Sequence, residues 1–177
     1  MVLLQILLTL FVMFFFLSLC FLFSGMGTGM ISIDQIALEH AAKKSKSRAD
    51  LLKFIRQPDK FLGTTLIGNN VVNVILASLA TYFVQKMNNL SFDARYTSLV
   101  IGAIVLVFGE ILPKSLFRDH SETMVPVLFP VLRFFYIILK PFVAVVTWMN
   151  QSLRRLLHLE NDNQYDYLTK DDLTFLS

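Results

Sequence analysis

The chain has 177 residues, of which 55% are apolar and only 16% are charged. A soluble domain of this length carries about a quarter charged residues, so this composition excludes an ordinary soluble domain and predicts an integral membrane protein. The net charge of +3 predicts no nucleic-acid partner, because the basic residues form no stripe interleaved with aromatic side chains. The single Cys20 cannot form an internal disulfide.

The first apolar segment, residues 2–23, contains no charged residue. About 20 apolar residues cross a bilayer as a helix, so we predict the first membrane span here. A cleaved leader is the alternative, but it requires a basic start. No Lys or Arg precedes Lys43, so we favour a span that is kept.

Residues 34–57 change character and are predicted to form two short amphipathic helices joined by a polar turn. The segment that contains them is rich in cations, namely Lys43, Lys44, Lys46, Arg48, Lys53, Arg56 and Lys60. The positive-inside rule places this segment in the cytoplasm and therefore the N-terminus outside.

Two further spans are predicted at residues 61–84, running outward, and 96–112, running inward. The loop between them has only Lys86 and Arg95 as cations, as an external loop should. The second span is unusual because small and polar residues fill its first half: Gly63, Thr64, Thr65, Gly68, Asn69, Asn70 and Asn73. The third contains one acid, Glu110.

Residues 124–148 are also apolar and long enough to span, but they contain three prolines and two cations. These speak against one straight helix in contact with lipid, and a fourth crossing would put the arginines at 154–155 outside. We therefore predict interfacial helices over about 121–150, broken near Lys140 and Pro141, in the cytoplasmic leaflet. A true fourth span is the alternative.

The fold prediction is an all-α membrane domain over residues 1–155, with three spans and a helical belt on the cytoplasmic side. A polar tail follows at 156–177, where Thr169 to Asp172 is typical of a helix N-cap. We expect the chain to be the membrane part of a longer protein.

Polar residues of the second and third spans are predicted to meet. Asn69 and Asn73 are spaced i, i+4, while Asn70 and Asn73 are spaced i, i+3, so they share one region of helix surface. Counting rise per residue from the cytoplasmic ends, Asn69 and Glu110 fall within roughly 8 Å in depth. Interhelical hydrogen bonding is the alternative role for the asparagines.

Ser24 and the glycines at 25, 27 and 29 follow the first span at the same membrane side. We predict that these glycines unwind the helix and expose carbonyl oxygens, with close helix packing as the alternative. The donors at this point are then carboxylate, amide, hydroxyl and backbone oxygens, with no thiol or imidazole. Such a set suits Mg²⁺, Ca²⁺ or Na⁺ rather than zinc or copper. An unpaired carboxylate of Glu110 in the membrane would be costly, and a bound cation would remove that cost.

Three segments resemble motifs of the CNNM/CorC family of magnesium transporters. Residues 23–34 (FSGMGTGMISID) resemble its first-span exit motif, residues 66–73 (LIGNNVVN) its GN-x-x-x-N motif, and residues 108–114 (FGEILPK) its GEI-x-PK motif. Their order and spacing agree with the family over about residues 3–150.

The resemblance implies a homodimer in the plasma membrane, the bacterial inner membrane in a bacterium. It also implies Mg²⁺ bound between the spans and exported, with possible coupling to Na⁺ entry. Its metal ligands would be Ser24, Asn69, Asn73 and Glu110. Asn70 stands where a small or apolar residue is common, so we add it as an extra candidate.

Two features separate this chain from many bacterial members. They read FSGSETA where this chain has Met26 and Gly27 in place of the second Ser and the Glu, which removes two possible oxygen ligands. Family members also continue into cytoplasmic CBS domains that bind ATP, and residues 1–177 contain none.

Magnesium transport is therefore the predicted function. A Mg²⁺ sensor or scaffold that controls another transporter without moving ions is the alternative, because it needs the same ion site. We do not expect an enzyme, because no nucleophile–base pair, phosphate-binding loop or metal-hydrolase spacing occurs in the sequence.

Overall fold

A computed structural model describes residues 2–88 and 94–156. Within these ranges the chain is helical and contains no β-strand, which confirms the predicted all-α fold. The elements are α1 (Val2–Ser32), α2 (Gln35–Ala42), α3 (Lys46–Ile55), α4 (Pro58–Asn88), α5 (Ala94–Leu106), a π-helical turn (Val107–Ile111), α6 (Leu112–Asp119) and α7 (Ser121–Leu156). The predicted N-cap at Thr169 lies outside the described residues.

Four helical segments among the described residues are long and apolar enough to cross a membrane, whereas the sequence predicted three. They are Leu3–Ser32, Pro58–Lys86, Arg95–Asp119 and Ser121–Val146. The predicted break near Pro141 is wrong, because α7 continues through all three of its prolines. A proline removes one hydrogen bond, and helices in an apolar environment tolerate this where neighbouring groups satisfy the freed carbonyl.

The chain divides into two compact units, Met1–Val143 and Ala144–Ser177. The first unit contains α1 to α6 and most of α7. All contacts described below lie within it.

Helix α1 is continuous to Ser32, so the predicted unwinding at the glycines is wrong. The glycines instead allow close packing, which was the alternative. A Cβ atom on Gly25 would clash with the ring of Phe117 in α6, and one on Gly29 would lie 2.7 Å from Val125 in α7. No side chain larger than the hydrogen of glycine fits at these positions. The glycines therefore allow α1 to pack closely against α6 and α7.

Helices α1 and α4 run antiparallel along most of their lengths. Lys86 near the end of α4 donates to Gln5 near the start of α1. At the other end, a Cβ on Gly27 would lie 3.3 Å from the hydroxyl of Thr65. Most of the polar residues of the site described below lie on these two helices.

The short helices α2 and α3 pack on each other, and α3 contacts α7. Asp34 caps α2 by accepting hydrogen bonds from the backbone of residues 36 and 37 at 2.8 and 3.2 Å. The ring of Phe54 in α3 packs against Phe129 of α7, with ring centroids 5.5 Å apart. Arg133 of α7 pairs with Asp50 of α3 at 2.9 Å. Helix α3 therefore packs against the middle of α7.

Candidate metal site

Three segments of the chain meet at Cys20, which is fully buried. Its sulfur lies 3.0 Å from the Oδ1 atom of Asn73 and 3.4 Å from that of Asn69, both on α4. It also lies 3.4 Å from the carbonyl oxygen of Gly109 in the π-helical turn. The thiol has one hydrogen and donates to one of these oxygens at a time. Cys20, Asn69, Asn73 and Gly109 therefore form a polar cluster where α1, α4 and the π-helical turn meet.

Glu110 joins this cluster through Asn73. The amide nitrogen of Asn73 donates to the Oε1 atom of Glu110 at 3.2 Å. The Nζ atom of Lys114, one helical turn later, lies 4.0 Å from Oε2, and the Glu110 side chain is 34% exposed. The assumption of an unpaired Glu110 is therefore wrong, because a hydrogen bond and a nearby cation already compensate its charge.

The third apolar segment contains a π-helical turn at Val107–Ile111, and the helix continues after it through Pro113. The backbone N–H of Leu112 donates to the carbonyl of Val107, five residues earlier, so the helix widens without breaking. Turns of this kind are rare in proteins, and those that occur are often found at functional sites. Here the turn brings Gly109 so close to Cys20 that a Cβ atom would lie 3.1 Å from its sulfur. A backbone carbonyl is thereby added to the side-chain oxygens.

Ser24 lies one turn after Cys20 on α1 and therefore on the same side of that helix. It is only 6% exposed. Its hydroxyl oxygen is buried and has no hydrogen-bond partner within the described part of the chain. An unsatisfied buried hydroxyl costs about 1–3 kcal/mol, and a ligand bound at the cluster would remove this cost.

A cavity of about 360 Å³ opens from this cluster between α4 and α5. Asn73 and Glu110 line one end, and small or apolar residues line most of the remainder: Leu76, Ala77, Ala80, Thr81, Val84, Ser98, Ile101, Gly102, Val105 and Leu106. It extends from the middle of α4 toward the end of α4 and the start of α5. The cavity therefore leaves empty space next to the side chains of Asn73 and Glu110.

Comparison with known proteins agrees with these motifs. The family model for the cyclin M transmembrane N-terminal domain matches residues 11–177. The chain belongs to this family. This confirms the resemblance on which the sequence prediction rested.

The cyclin M domain described here has relatives in bacteria and plants. It is 30% identical over 141 residues to the UPF0053 inner membrane protein YfjD of Escherichia coli, covering 79% of this chain and 33% of that protein. A UPF0053 protein of Haemophilus influenzae is 29% identical over 156 residues, covering 85% and 36%. A chloroplastic DUF21 domain-containing protein of Arabidopsis thaliana is 28% identical over 120 residues, covering 66% and 18%. The chain spans about a third of the length of the two bacterial relatives.

The cyclin M domain brings together some of the predicted ligands and not others. Asn69, Asn73 and Glu110 belong to the cluster, and Ser24 lies on the adjoining turn. Asn70 does not, because its side chain is exposed on another side of α4. The hydroxyl of Thr65 donates to the carbonyl of residue 61 within its own helix, so it is already satisfied.

Cys20 is the residue that the sequence prediction missed, and the statement that no thiol belongs to the set is wrong. The signal was its position four residues before Ser24, which puts both side chains on one side of α1. Among the described residues no group of three or more His, Cys, Asp and Glu side chains lies together. The donor set is therefore built from amide, hydroxyl, carbonyl and thiol groups around one carboxylate.

Proposed function

We propose that this cyclin M domain transports Mg²⁺ through the cluster at Ser24, Asn69, Asn73 and Glu110. The observation that carries the proposal is the hydrogen bond between Asn73 and Glu110, at 3.2 Å. It joins two long apolar helices near their middles, where polar and ionisable groups are expensive and mark ion pathways. Carboxylate, amide, hydroxyl and carbonyl oxygens are the ligands of hard cations.

The arrangement supports binding through its charge, its oxygen atoms and the space beside Glu110. Glu110 supplies the negative charge, and the oxygens of Asn69, Asn73 and Gly109 lie around one point. Mg²⁺ dehydrates reluctantly and keeps several waters, and the cavity beside Glu110 has room for them. A bound cation would also compete with Lys114 for the carboxylate, so Mg²⁺ binding would displace the ammonium group of Lys114 from Glu110.

We place the N-terminus outside and the α2–α3 hairpin in the cytoplasm, because the segment from Lys43 to Lys60 holds seven of the 16 Lys and Arg residues. The same reasoning favours α7 as a cytoplasmic-side helix and the chain as a domain with three spans. If α7 crossed the bilayer, the pair between Arg133 and Asp50 would lie near the middle of the membrane, where charges are costly.

The family resemblance also supports a proposal for the oligomeric state, the membrane, the direction of transport and its regulation. We propose a homodimer in the plasma membrane, which in a bacterium is the inner membrane. It exports Mg²⁺ with coupling to Na⁺ entry, under the control of cytoplasmic CBS domains that bind ATP.

The test is Mg²⁺ flux from liposomes that contain the purified chain. The wild type should move Mg²⁺, and Glu110→Gln should reduce the flux to that of empty liposomes, because the amide keeps the shape and removes the charge. Glu122→Gln is the matched control, since Glu122 is an exposed acid at the start of α7, and it should transport normally. Normal transport by Glu110→Gln would remove Glu110 from the mechanism. Mg²⁺ binding without flux in the wild type would instead support the sensor or scaffold function.

A further inference from the structure

We propose that Cys20 adds a sulfur ligand to this site, so that it also binds thiophilic divalent cations of the zinc and cadmium class. The inference rests on the proposed function because it uses the same cluster, and it extends the range of cations beyond Mg²⁺.

The sulfur of Cys20 is spaced from its neighbours as one metal ligand is from the next. Zn–S and Zn–O bonds are about 2.3 and 2.1 Å, so S and O atoms on one ion are about 3.1 Å apart at a right angle and about 3.6 Å apart at the tetrahedral angle. The observed distances from Sγ are 3.0 Å to Asn73, 3.4 Å to Asn69 and 3.4 Å to the carbonyl of Gly109. One ion could therefore contact the sulfur and these oxygens after small movements.

Ser24 provides an independent indication that the cluster accepts a ligand. Its hydroxyl is buried on the same side of α1 as Cys20 and has no partner among the described residues. Cys20 itself is fully buried, and the Glu110 carboxylate reaches the cluster through Asn73. The buried thiol is therefore surrounded by oxygen donors and lies near one negative charge.

The chemistry distinguishes two modes of occupation. Thiolate ligands select soft and borderline metals, whereas Mg²⁺ prefers oxygen. When Mg²⁺ binds, the thiol keeps its hydrogen and remains a weak donor. When Cd²⁺ or Zn²⁺ binds, the metal replaces the thiol hydrogen, which leaves as a proton to water, and no electron is transferred. The thiolate and the Glu110 carboxylate then balance the charge of the divalent ion.

The experiment titrates the purified 177-residue chain with Cd²⁺ and follows the ultraviolet charge-transfer band of cadmium–thiolate bonds. The chain has one cysteine, so a band reports Cys20. We expect the band in the wild type, its loss in Cys20→Ser, and a fall in Cd²⁺ affinity of at least about tenfold in that variant, as for other changes around metal ligands. Asn70→Ala is the control, because that side chain is exposed on another side of α4, and it should keep both the cadmium–thiolate band and the Mg²⁺-dependent thermal stabilisation of the wild type.

The outcomes separate this inference from the proposed function. A wild type that binds Mg²⁺ but gives no cadmium–thiolate band overturns the role of Cys20 and leaves the transport proposal intact. A wild type that gives the band but shows no Mg²⁺ binding supports the sulfur ligand and contradicts Mg²⁺ as the cargo. If Cys20→Ser does not fold, competition in the wild type decides: Mg²⁺ in excess should suppress the band, and a band that Mg²⁺ cannot suppress would place the sulfur outside the site.

Discussion

The contact between Gly68 and Phe23 gives the sharpest test of how α1 and α4 hold the site. A Cβ atom on Gly68 would lie 2.5, 2.6 and 2.7 Å from three atoms of the Phe23 ring, whereas ordinary contacts begin at 3.4 Å. The ring is only 2% exposed and is blocked by Phe135, whose centroid is 5.2 Å away. Gly68→Ala therefore has to move α1 away from α4 or push Phe23 into Phe135.

The size of the effect follows from the required displacement. The closest ring atom has to move by 0.9 Å, the difference between 3.4 and 2.5 Å, and overpacking of this kind costs about 1–3 kcal/mol. Alanine also gains up to about 1 kcal/mol over glycine in a helix. Gly102→Ala is the matched control, because a Cβ atom there meets nothing within 4 Å. The same helical gain applies to both variants, so their difference isolates the clash.

Thermal unfolding of both variants in one detergent measures this difference. We expect Gly68→Ala to unfold about 2–12 °C below Gly102→Ala, at roughly 2–4 °C per kcal/mol for a chain of this size. It should also bind Mg²⁺ more weakly, because Asn69 follows Gly68 and its distance to Cys20 depends on the same packing. Equal melting temperatures for the two variants would refute the close contact between α1 and α4.

Two further predictions concern the charges and amides of the site. Asn73→Ala should weaken Mg²⁺-dependent thermal stabilisation, because Asn73 contacts both Cys20 and Glu110. Asn70→Ala should leave this stabilisation unchanged, because that side chain is exposed. Equal effects of the two variants would contradict the assignment of Asn73 as a ligand. Lys114→Met should tighten Mg²⁺ binding by roughly tenfold in the same titration. Its cation lies 4.0 Å from the carboxylate and so about 6 Å from an ion bound there, where it repels a divalent ion by about 1.4 kcal/mol even in water. Weaker binding by Lys114→Met would show that this lysine supports the site and does not compete for it.

Local patterns predicted the parts of the site that depend on spacing along one helix. Asn69 and Asn73 share a side of α4 because they are four residues apart, and both reach Cys20. The i, i+3 spacing of Asn70 and Asn73 predicts a shared surface for these two as well, yet the side chain of Asn70 is exposed. Spacing along one helix therefore identified the two asparagines of the site but did not separate them from Asn70.

The glycines and prolines show where local reasoning failed. Glycine lowers helix propensity, yet α1 continues through Gly25 and Gly29, because close packing on Phe117 and Val125 uses the missing side chains. Proline removes a hydrogen bond, yet α7 continues through Pro141. In both cases the environment outside the helix outweighs the preference of the residue.

The sequence by itself determined the class of protein, the family and the identity of most polar residues in the apolar helices, because apolar length and motif spacing are properties of the chain alone. Only the tertiary structure decided which donors meet. Cys20 and Gly109 are 89 residues apart in sequence. Cys20 lies outside the three motifs, and the motif that contains Gly109 does not reveal that the sulfur faces its carbonyl. That contact depends on how closely α1 approaches the π-helical turn, and packing between helices sets this distance.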